Sequence, residues 1–426
     1  MAEIKPFRAL RFTEKAGQIS SLTCPPYDII SEEERKELLL KNPYNVIRLE
    51  LPREGEDPYA QAGETLKSWL NENILRRDTD PGLYIYEEEF KAYGQVTKVK
   101  GFICLVKLEE FSKGIILPHE ETLSKAKEDR FHLMNATGCN FSQIYSLYND
   151  DGHVTRNRID ALSSGEPRYE FCDGDGVIHR LWLVNDPVAI RAICEDFENR
   201  KLYIADGHHR YETALNYRNS RREQGTATGG EDYVMMMLVD MENDGLVVFP
   251  THRMVRGLSE FNGEKLMEAC KAYFDVTQHF AVNEIETELE ALYQQGKKAF
   301  AFYCGGEEWT LLVLKDTSIM AQLLPEKSEA YRGLDVSVLH SLILERLLGI
   351  DKENMANQKN LVYTRSMEEA INSVKAGESQ CAFLLNPTRV TEIRDVAAAG
   401  EKMPQKSTYF YPKLITGLVM NQIDIE

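Results

Sequence analysis

The stretch Tyr203-Ile204-Ala205-Asp206-Gly207-His208-His209-Arg210-Tyr211-Glu212-Thr213-Ala214 decides how this chain is interpreted. Its apolar start predicts a short strand over Leu202–Ala205, followed by a turn at Asp206–Arg210 and a helix over Arg210–Gln224. Gly207 permits a tight turn and the close approach of a ligand. Because the first amides of a helix attract anions, a strand-to-helix turn of this composition predicts a phosphate site.

The side chains of this turn suit a compact anion. Arg210 can bind a phosphate or a carboxylate with two parallel hydrogen bonds. Asp206 can hold a divalent metal, cap the helix or take a proton from a substrate hydroxyl. His208 and His209 can donate to a phosphate or transfer protons near neutral pH. The alternative is that Asp206 only caps the helix and the histidines only pack, and a zinc site is disfavoured because adjacent histidines do not readily bind one metal.

Outward from this turn, the pattern is α+β. Helices are predicted at Glu32–Leu40 and Asp57–Asn71, paired strands at Gly82–Phe90 and Val99–Leu108, and a buried strand at Tyr233–Val239 with a partner strand at Gly245–Pro250. From about Gly257 the chain changes to longer amphipathic helices interleaved with strands, with helices that include Val282–Gln294 and Ser337–Leu348. We therefore expect an N-terminal domain over 1–256 and a C-terminal α+β domain over 257–426 whose end returns to the site.

A second polar passage contains His119-Glu120-Glu121-Thr122 and, further along, Arg130. Glu120 is a candidate general base or metal ligand, and His119, Thr122 and Arg130 are candidate phosphate ligands. An exposed charged helix with Glu121 paired to Lys125 is an equally good interpretation.

Three other segments are candidate walls of the same pocket. His252 and Arg253 lie at the end of an apolar strand, where a cation can also serve only solubility. Lys406, Ser407 and Thr408 stand among aromatic residues, which suits a nucleotide and its phosphates but equally suits a buried tail. The loop Pro25-Pro26-Tyr27-Asp28 is rigid because consecutive prolines fix its shape, and it forms either a wall of the site or a stiff connection.

The amino-acid composition limits the classes of partner that we expect for this protein. The 426 residues carry 50 Lys plus Arg against 68 Asp plus Glu, a formal net charge of −18 at pH 7. A large nucleic-acid surface needs clustered basic residues, so no DNA partner is expected. No stretch of about 20 apolar residues predicts a membrane span. The 8 cysteines contain no C-x-x-C pair, and Met1–Thr13 lacks an apolar signal core, so we expect a cytoplasmic protein with reduced thiols.

Four of these motifs together resemble a family of bacterial and archaeal proteins catalogued as a domain of unknown function. The matching residues are Pro25–Asp28, His119–Thr122, Ala205–Arg210 and Lys406–Thr408. That family is similar to the ParB/sulfiredoxin-like fold, whose Gly-x-x-Arg-x-x-x-Ala pattern matches Gly207, Arg210 and Ala214. The resemblance implies a ParB/sulfiredoxin-like N-terminal core with elaborations. His208 stands where sulfiredoxins have the nucleophilic cysteine, so their chemistry is not expected in this chain.

The resemblance extends to free-serine kinases, which carry the same Asp-Gly-His-His-Arg motif. They transfer a phosphoryl group from ADP or ATP to the hydroxyl of free L-serine with Mg²⁺. By that similarity Gly207, His208, His209 and Arg210 hold nucleotide phosphates, and Asp206 binds the metal or orients the acceptor. Those kinases also use an early glutamate as base, for which Glu120 is the best candidate.

We therefore expect a phosphotransferase that uses ADP or ATP with Mg²⁺ on a small hydroxylated metabolite such as an amino acid. One alternative is a nucleotide- or metabolite-binding regulator without turnover. Another is a phosphatase or nuclease-type hydrolase. The oligomeric state is not predicted.

Overall fold

The structure is a computed structural model that describes residues 1–122, 124–281 and 284–423. The chain divides into two compact units. Unit 1 contains the described residues of Met1–Pro118, Thr122–Val247 and Pro412–Glu426, and unit 2 contains His119–Glu121 and Val248–Tyr411. Because these units are groups of mutually packed residues, independently folding domains at 1–256 and 257–426 stay a prediction.

The strands of the described chain follow one another in this order: β1 (Ile4–Lys5), β2 (Leu10–Phe12), β3 (Leu75–Arg77), β4 (Leu83–Ala92), β5 (Gln95–Lys107), β6 (Ile116–Leu117), β7 (Cys139–Asn140), β8 (Ile144–Tyr148), β9 (Tyr169–Cys172), β10 (Ile178–Val184), β11 (Leu202–Asp206), β12 (Tyr233–Asp240), β13 (Val247–Val248), β14 (His252–Val255), β15 (Phe274–Ala281), β16 (Ala299–Tyr303), β17 (Glu308–Leu314), β18 (Leu361–Thr364), β19 (Cys381–Leu384), β20 (Phe410–Tyr411) and β21 (Asn421–Gln422).

The α-helices of the described chain are α1 (Glu32–Lys41), α2 (Ile47–Glu50), α3 (Pro58–Asn71), α4 (Ser124–Thr137), α5 (Val154–Leu162), α6 (Pro187–Asp196), α7 (His208–Glu223), α8 (Gly263–Cys270), α9 (Ile285–Gln294), α10 (Ile319–Leu323), α11 (Glu329–Arg332), α12 (Asp335–Val338), α13 (Lys352–Ala356), α14 (Met367–Lys375) and α15 (Val390–Ala398). A π-helix over Leu339–Leu347 continues directly from α12.

Unit 1 is built on a nine-stranded mixed sheet. Its strand order is β6-β11-β8-β12-β5-β4-β10-β9, with β1 also paired to β5. The central strand β12 is a nearly continuous apolar run, Tyr-Val-Met-Met-Met-Leu-Val-Asp, and is buried along almost its whole length. It pairs parallel to β8 and antiparallel to β5. A strand covered on both faces lacks the alternation of a half-exposed strand, which explains its composition.

The strand-to-helix turn follows β11, which lies between β6 and β8 in this sheet. β11 pairs antiparallel with β8, so Asp206 stands opposite Tyr145 at the end of β11. The helix α7 follows at once and buries Tyr211, Ala214 and Leu215 in the core of the unit. The turn is therefore held by strand pairing on one side and by helix packing on the other.

The C-terminal segment 412–423 is part of unit 1. Its β21 pairs with β7, and the amide of Ile423 donates to the carbonyl of Gly138 at 2.7 Å. Thr416, Val419 and Met420 are fully buried. This segment thus brings residues far along the sequence to the elements around β7 and β8.

Unit 2 contains a six-stranded sheet of order β15-β17-β16-β19-β14-β18. The pairings of its central strands are antiparallel. One face packs through residues such as Leu384 and Met254 against Ile285 and Leu289 of α9 and Ala370 of α14. This arrangement is an α+β layer with its own core.

The structure confirms a mixed α/β chain and corrects several predicted elements. The central strand β12 has β5 and β8 as its neighbours, so the predicted pairing of Gly245–Pro250 with it is wrong. A turn does follow β12, but β5 and β8, which are both longer than β13, already pair with its two edges. The predicted helix Ser337–Leu348 is present, with its second part as a π-helix. The predicted helix start at Val282 lies outside the described residues.

Among the described residues, no helix is both long enough and apolar enough to cross a bilayer.

Candidate functional site

The site is built around the turn between β11 and α7. Gly207 is the residue before the helix and has φ of +92°, a left-handed conformation that favours glycine. A Cβ atom at this position would lie 2.9 Å from Nε of Arg210. Gly207 has no side chain to cap the helix, so the amides of its first turn are not used by a cap from this residue.

Asp206 lies between two cations. Its Oδ2 accepts a hydrogen bond from Arg210 at 2.7 Å, and its Oδ1 accepts one from Nζ of Lys413. Burial by itself would raise the pKa of Asp206, but the charges of Lys413 and Arg210 hold that pKa well below its ordinary range. Since the Asp206 side chain is 19% exposed, the turn presents an ionised carboxylate and two cations at an accessible edge.

The histidines of the turn occupy the first two positions of α7. His208 is buried and His209 is half-buried. The charge of His208 also contributes to the lowered pKa of Asp206.

Arg210 also connects the turn to a small cavity of about 40 Å³. The cavity is lined by Arg210, Arg130, Glu50 and Ser142, together with Thr213 and apolar residues of α4 and β7–β8. Arg210 donates from its second terminal nitrogen to the carbonyl of Gln143 at 2.6 Å. A space of this size takes roughly one or two water-sized groups, such as a hydroxyl.

Glu50 is the acidic wall of that cavity. Its Oε1 accepts a hydrogen bond from Ser142 at 3.0 Å and lies 3.8 Å from Arg130. Arg130 is held in place by Asp129 at 2.5 Å and by the carbonyl of Glu50 at 2.7 Å. Burial raises the pKa of Glu50 despite the nearby charges of Arg130 and Arg210. A carboxylate with a raised pKa accepts a proton more readily than an exposed one.

The loop Pro25–Asp28 reaches the same residues. The guanidinium of Arg130 lies over the ring of Tyr27, 4.1 Å from its centroid. The charges of both Arg130 and Arg210 act on the pKa of the Tyr27 hydroxyl, which burial and Asp28 raise strongly. Of the two interpretations of this loop, the geometry therefore favours a wall of the site.

Thr122 contacts α7 one turn further along. Its hydroxyl donates to Glu212 at 2.6 Å, and Lys127 donates to the same carboxylate oxygen at 2.7 Å. Thr122 thus ties the start of α4 to α7, and its predicted contact with phosphate stays a prediction.

Unit 2 assembles the remaining predicted residues into a second group. His119 Nε2 lies 3.0 Å from Oγ1 of Thr408, and Glu120 forms a β-bridge with Met403. The carbonyl of Lys406 accepts a hydrogen bond from Arg253 at 3.1 Å. Ser407 is buried, and its carbonyl accepts from Thr388 at 2.8 Å. His252 is buried on β14, where the Leu385 amide donates to its Nδ1 at 3.3 Å.

The described residues do not form a metal centre on their own. No group of three His, Cys, Asp or Glu side chains lies close enough in that part of the chain to hold an ion. Asp206 supplies one ionised carboxylate, and both of its oxygens are bonded to cations. Because Mg²⁺ at phosphoryl-transfer sites takes most of its ligands from phosphate and water, one carboxylate fits such an ion only when a nucleotide brings it.

Sequence reasoning missed three residues of this site. Lys413 is 207 positions from Asp206, and neither Glu50 nor Gln143 belongs to a motif. The signals available were weak: Lys413 stands beside Pro412 just after the Lys406–Thr408 segment, and Glu50 ends an apolar run.

Comparison with known proteins places the chain in a family. The family model described as "Protein of unknown function (DUF1015)" matches residues 4–337. The chain belongs to the DUF1015 family. No curated protein matches this DUF1015 chain.

Several solved structures are weakly similar to this DUF1015 chain. A free serine kinase in complex with AMP is 14% identical and has a TM-score of 0.38, with 75% of this chain and 91% of that chain covered. A conserved hypothetical protein from Pyrococcus furiosus is 15% identical with a TM-score of 0.35, covering 76% and 97%. SbnI with a C-terminal truncation, from Staphylococcus aureus, is 12% identical with a TM-score of 0.36, covering 75% and 87%. Similarity at this level establishes neither a shared fold nor a shared activity.

Proposed function

We propose that this protein is a phosphotransferase that uses ADP or ATP and phosphorylates the hydroxyl of a small metabolite such as a free amino acid. The observation that carries the proposal is the turn at Asp206–Arg210, where an ionised carboxylate, two cations and the start of a helix meet at an accessible edge. Phosphoryl transfer needs positioning and charge neutralisation more than covalent chemistry.

The phosphates of the nucleotide would bind at the start of α7. Gly207 leaves room for their approach, and the amides and side chains of His208 and His209 would donate to them. Arg210 and Lys413 would turn from Asp206 toward the phosphate oxygens. Arg130, which is paired with Asp129, adds a third cation to Arg210 and Lys413, and cations gathered in this way attract an anion.

The acceptor hydroxyl would enter the small cavity beside Arg210. There its proton would pass to the Glu50 carboxylate as its oxygen forms a bond to the terminal phosphorus. The bond from that phosphorus to the bridging oxygen breaks, and ADP or AMP leaves with the bonding electrons. Glu50 replaces Glu120 as our candidate base because it faces the same cavity as Arg210. Glu120 stays a prediction within unit 2.

Magnesium would arrive with the nucleotide. Asp206 is the residue of the turn that would hold it, because its depressed pKa keeps the carboxylate ionised. Bound there, the ion supplies neutralisation of phosphate charge.

The finer assignments belong to the same proposal. We place the N-terminal core in the ParB/sulfiredoxin-like group on its motif pattern, and we expect a cytoplasmic location and no DNA partner. The free serine kinases named above are complexes with AMP and, in a further structure, with ADP. Because the motif at the turn is the one those kinases carry, a nucleotide and a free amino acid are the first substrates to test.

Phosphorus NMR tests the reaction. Incubation with ATP or ADP, Mg²⁺ and a pool of hydroxylated amino acids should produce a phosphomonoester signal together with ADP or AMP. Glu50→Gln should reduce this turnover about 100-fold or more, as expected for loss of a general base, and leave nucleotide affinity within about twofold. Nucleotide binding without turnover would favour a regulator, and free phosphate without a phosphorylated acceptor would favour a hydrolase. Either result overturns the proposal.

A further inference from the structure

Arg253 is a buried arginine of unit 2 that has no acidic partner among the described residues. It is 1% exposed and lies in β14, the strand next to the edge strand β18 of the six-stranded sheet. In the described part of the chain its hydrogen bonds go to two main-chain carbonyls, those of Thr251 and Lys406. Its Nε makes no hydrogen bond there. Two carbonyl dipoles do not neutralise a full positive charge, and an uncompensated buried charge is costly.

The strand register shows what surrounds this guanidinium. Arg253 stands directly opposite Tyr363 on β18 and opposite Phe383 on β19, so the three side chains share one face of the sheet. The guanidinium carbon lies 5.4 Å from the centroid of the Tyr363 ring. Within the described residues, the hydroxyl of Tyr363 is buried and unpartnered. The cation thus lies over the ring of a tyrosine whose hydroxyl is not used by the described residues.

The loop that receives the Arg253 hydrogen bond is strained. Lys406 has φ of +56°, a left-handed conformation that costs energy for a residue with a side chain. The loop is held there by Ser407, whose hydroxyl donates to Pro404, and by Thr408, which contacts His119. Strain of this kind persists only where surrounding contacts enforce it, and it is concentrated at binding sites.

We propose that Arg253 and Tyr363 form a buried oxyanion-binding site in unit 2, which takes the phosphate or carboxylate group of a small ligand. The anion supplies the counter-charge that Arg253 lacks among the described residues. Burial lowers the pKa of Arg253 to about 10, as expected for a cation whose counter-charge comes from a ligand. The inference goes beyond the proposed function and does not depend on it.

Two small anions test the site. Inorganic phosphate and acetate are titrated separately into the full chain, and amide hydrogen exchange is followed over β14 and β18. At least one of them should slow exchange there saturably, and the one that does identifies the ligand group. These amides report on unit 2, so phosphate bound at the Asp206–Arg210 turn does not affect the reading.

Arg253→Met is the decisive variant. It should abolish the protection by anion, and it should unfold no more easily than the parent without anion, because the substitution removes an unpaired buried charge. Tyr363→Phe should weaken anion binding about fivefold without loss of stability. Arg256→Met, at an exposed position beyond the same strand, is the matched control and should behave as the parent.

The proposal is overturned if neither anion protects β14 and β18 in the parent chain, or if Arg253→Met retains the protection. Should Arg253→Met fail to fold, Tyr363→Phe decides alone: unchanged anion affinity in that variant would contradict the site.

Discussion

Two carboxylates in unit 1 show how strongly the surroundings of a single residue decide its chemistry. Asp206 stays ionised because Lys413 and Arg210 bond to its two oxygens. Glu88 is fully buried, accepts one hydrogen bond from Tyr86 at 3.0 Å, and leaves its Oε2 without a partner among the described residues. Burial raises the pKa of Glu88 to about 8. One residue is therefore fitted to bind cations or a metal, and the other is fitted to hold a proton.

Glu88 makes the stability of the protein depend on pH. Its pKa rises from about 4.3 in an unfolded chain, so the folded state holds the proton more tightly. The stabilisation is fully present below about pH 4 and is lost as the pH rises through about 8. Glu88→Gln should flatten this fall by about 1–3 kcal/mol between pH 5 and pH 8 in urea unfolding. Glu89→Gln is the control and should keep the pH dependence of the parent; an equal fall in Glu88→Gln would contradict the assignment.

At the residue scale, the sequence identifies a site residue when that residue belongs to a contiguous motif. Asp206, Gly207 and Arg210 are recognisable because the turn that uses them is contiguous. Lys413 and Glu50 are not, because they reach the site only through the return of segment 412–423 and through the packing of α2. A charge that is neutralised by a residue 207 positions away leaves no local pattern.

Elements are predicted best where one segment decides its own structure. The capping box of Ser31 and Glu34 starts α1, and the Asp-Pro pairs start α3 and α6. The pairing of strands is harder to predict because it depends on partners distant in sequence. Nothing in the local pattern of β12 indicates that β5 and β8 occupy both of its edges.

The junction of β11 and α7 should depend on glycine for two separable reasons. Gly207→Ala adds backbone strain at φ of +92° and pushes against Arg210, so it should cost about 1 kcal/mol of stability and also abolish ATP binding. Gly225→Ala, after the same helix, adds similar strain at φ of +67° with no atom within 4 Å. Chemical denaturation and calorimetry of both variants separate the effects. If Gly225→Ala loses ATP affinity equally, strain alone explains the loss.

At the scale of the whole molecule, the sequence predicts two regions but not which segments each of them contains. Unit 1 includes 412–423 from the end of the chain, and unit 2 includes His119–Glu121 from its first half. The predicted change to longer helices near Gly257 is wrong: among the described residues, α7 before it has 16 residues, whereas α9 after it has 10. The composition also carries no information about which segments return. The order of the nine-stranded sheet is also set by contacts between distant segments.

The returning segment should be essential to unit 1. Removal of residues 412–426 deletes Lys413, the β21 partner of β7 and the two main-chain hydrogen bonds between Leu10 and Met420. Hydrogen exchange over β7 and β8 should rise by at least about tenfold, because paired backbone amides lose their partners, whereas β16 and β17 of unit 2 should keep their protection. Unchanged exchange over β7 and β8 would show that the segment is dispensable.

The central claim is that the Asp206–Arg210 turn binds nucleotide phosphates, and calorimetric titration of ATP with Mg²⁺ tests it most directly. The parent should bind ATP. Arg210→Met should lose at least about 100-fold in affinity for ATP because a charge-assisted phosphate contact is removed. The control Arg222→Met, at an exposed position on the same helix, should bind ATP as the parent does. Circular dichroism and urea unfolding confirm that Arg210→Met is folded. Equal affinity of the parent and the folded Arg210→Met variant for ATP would contradict the account.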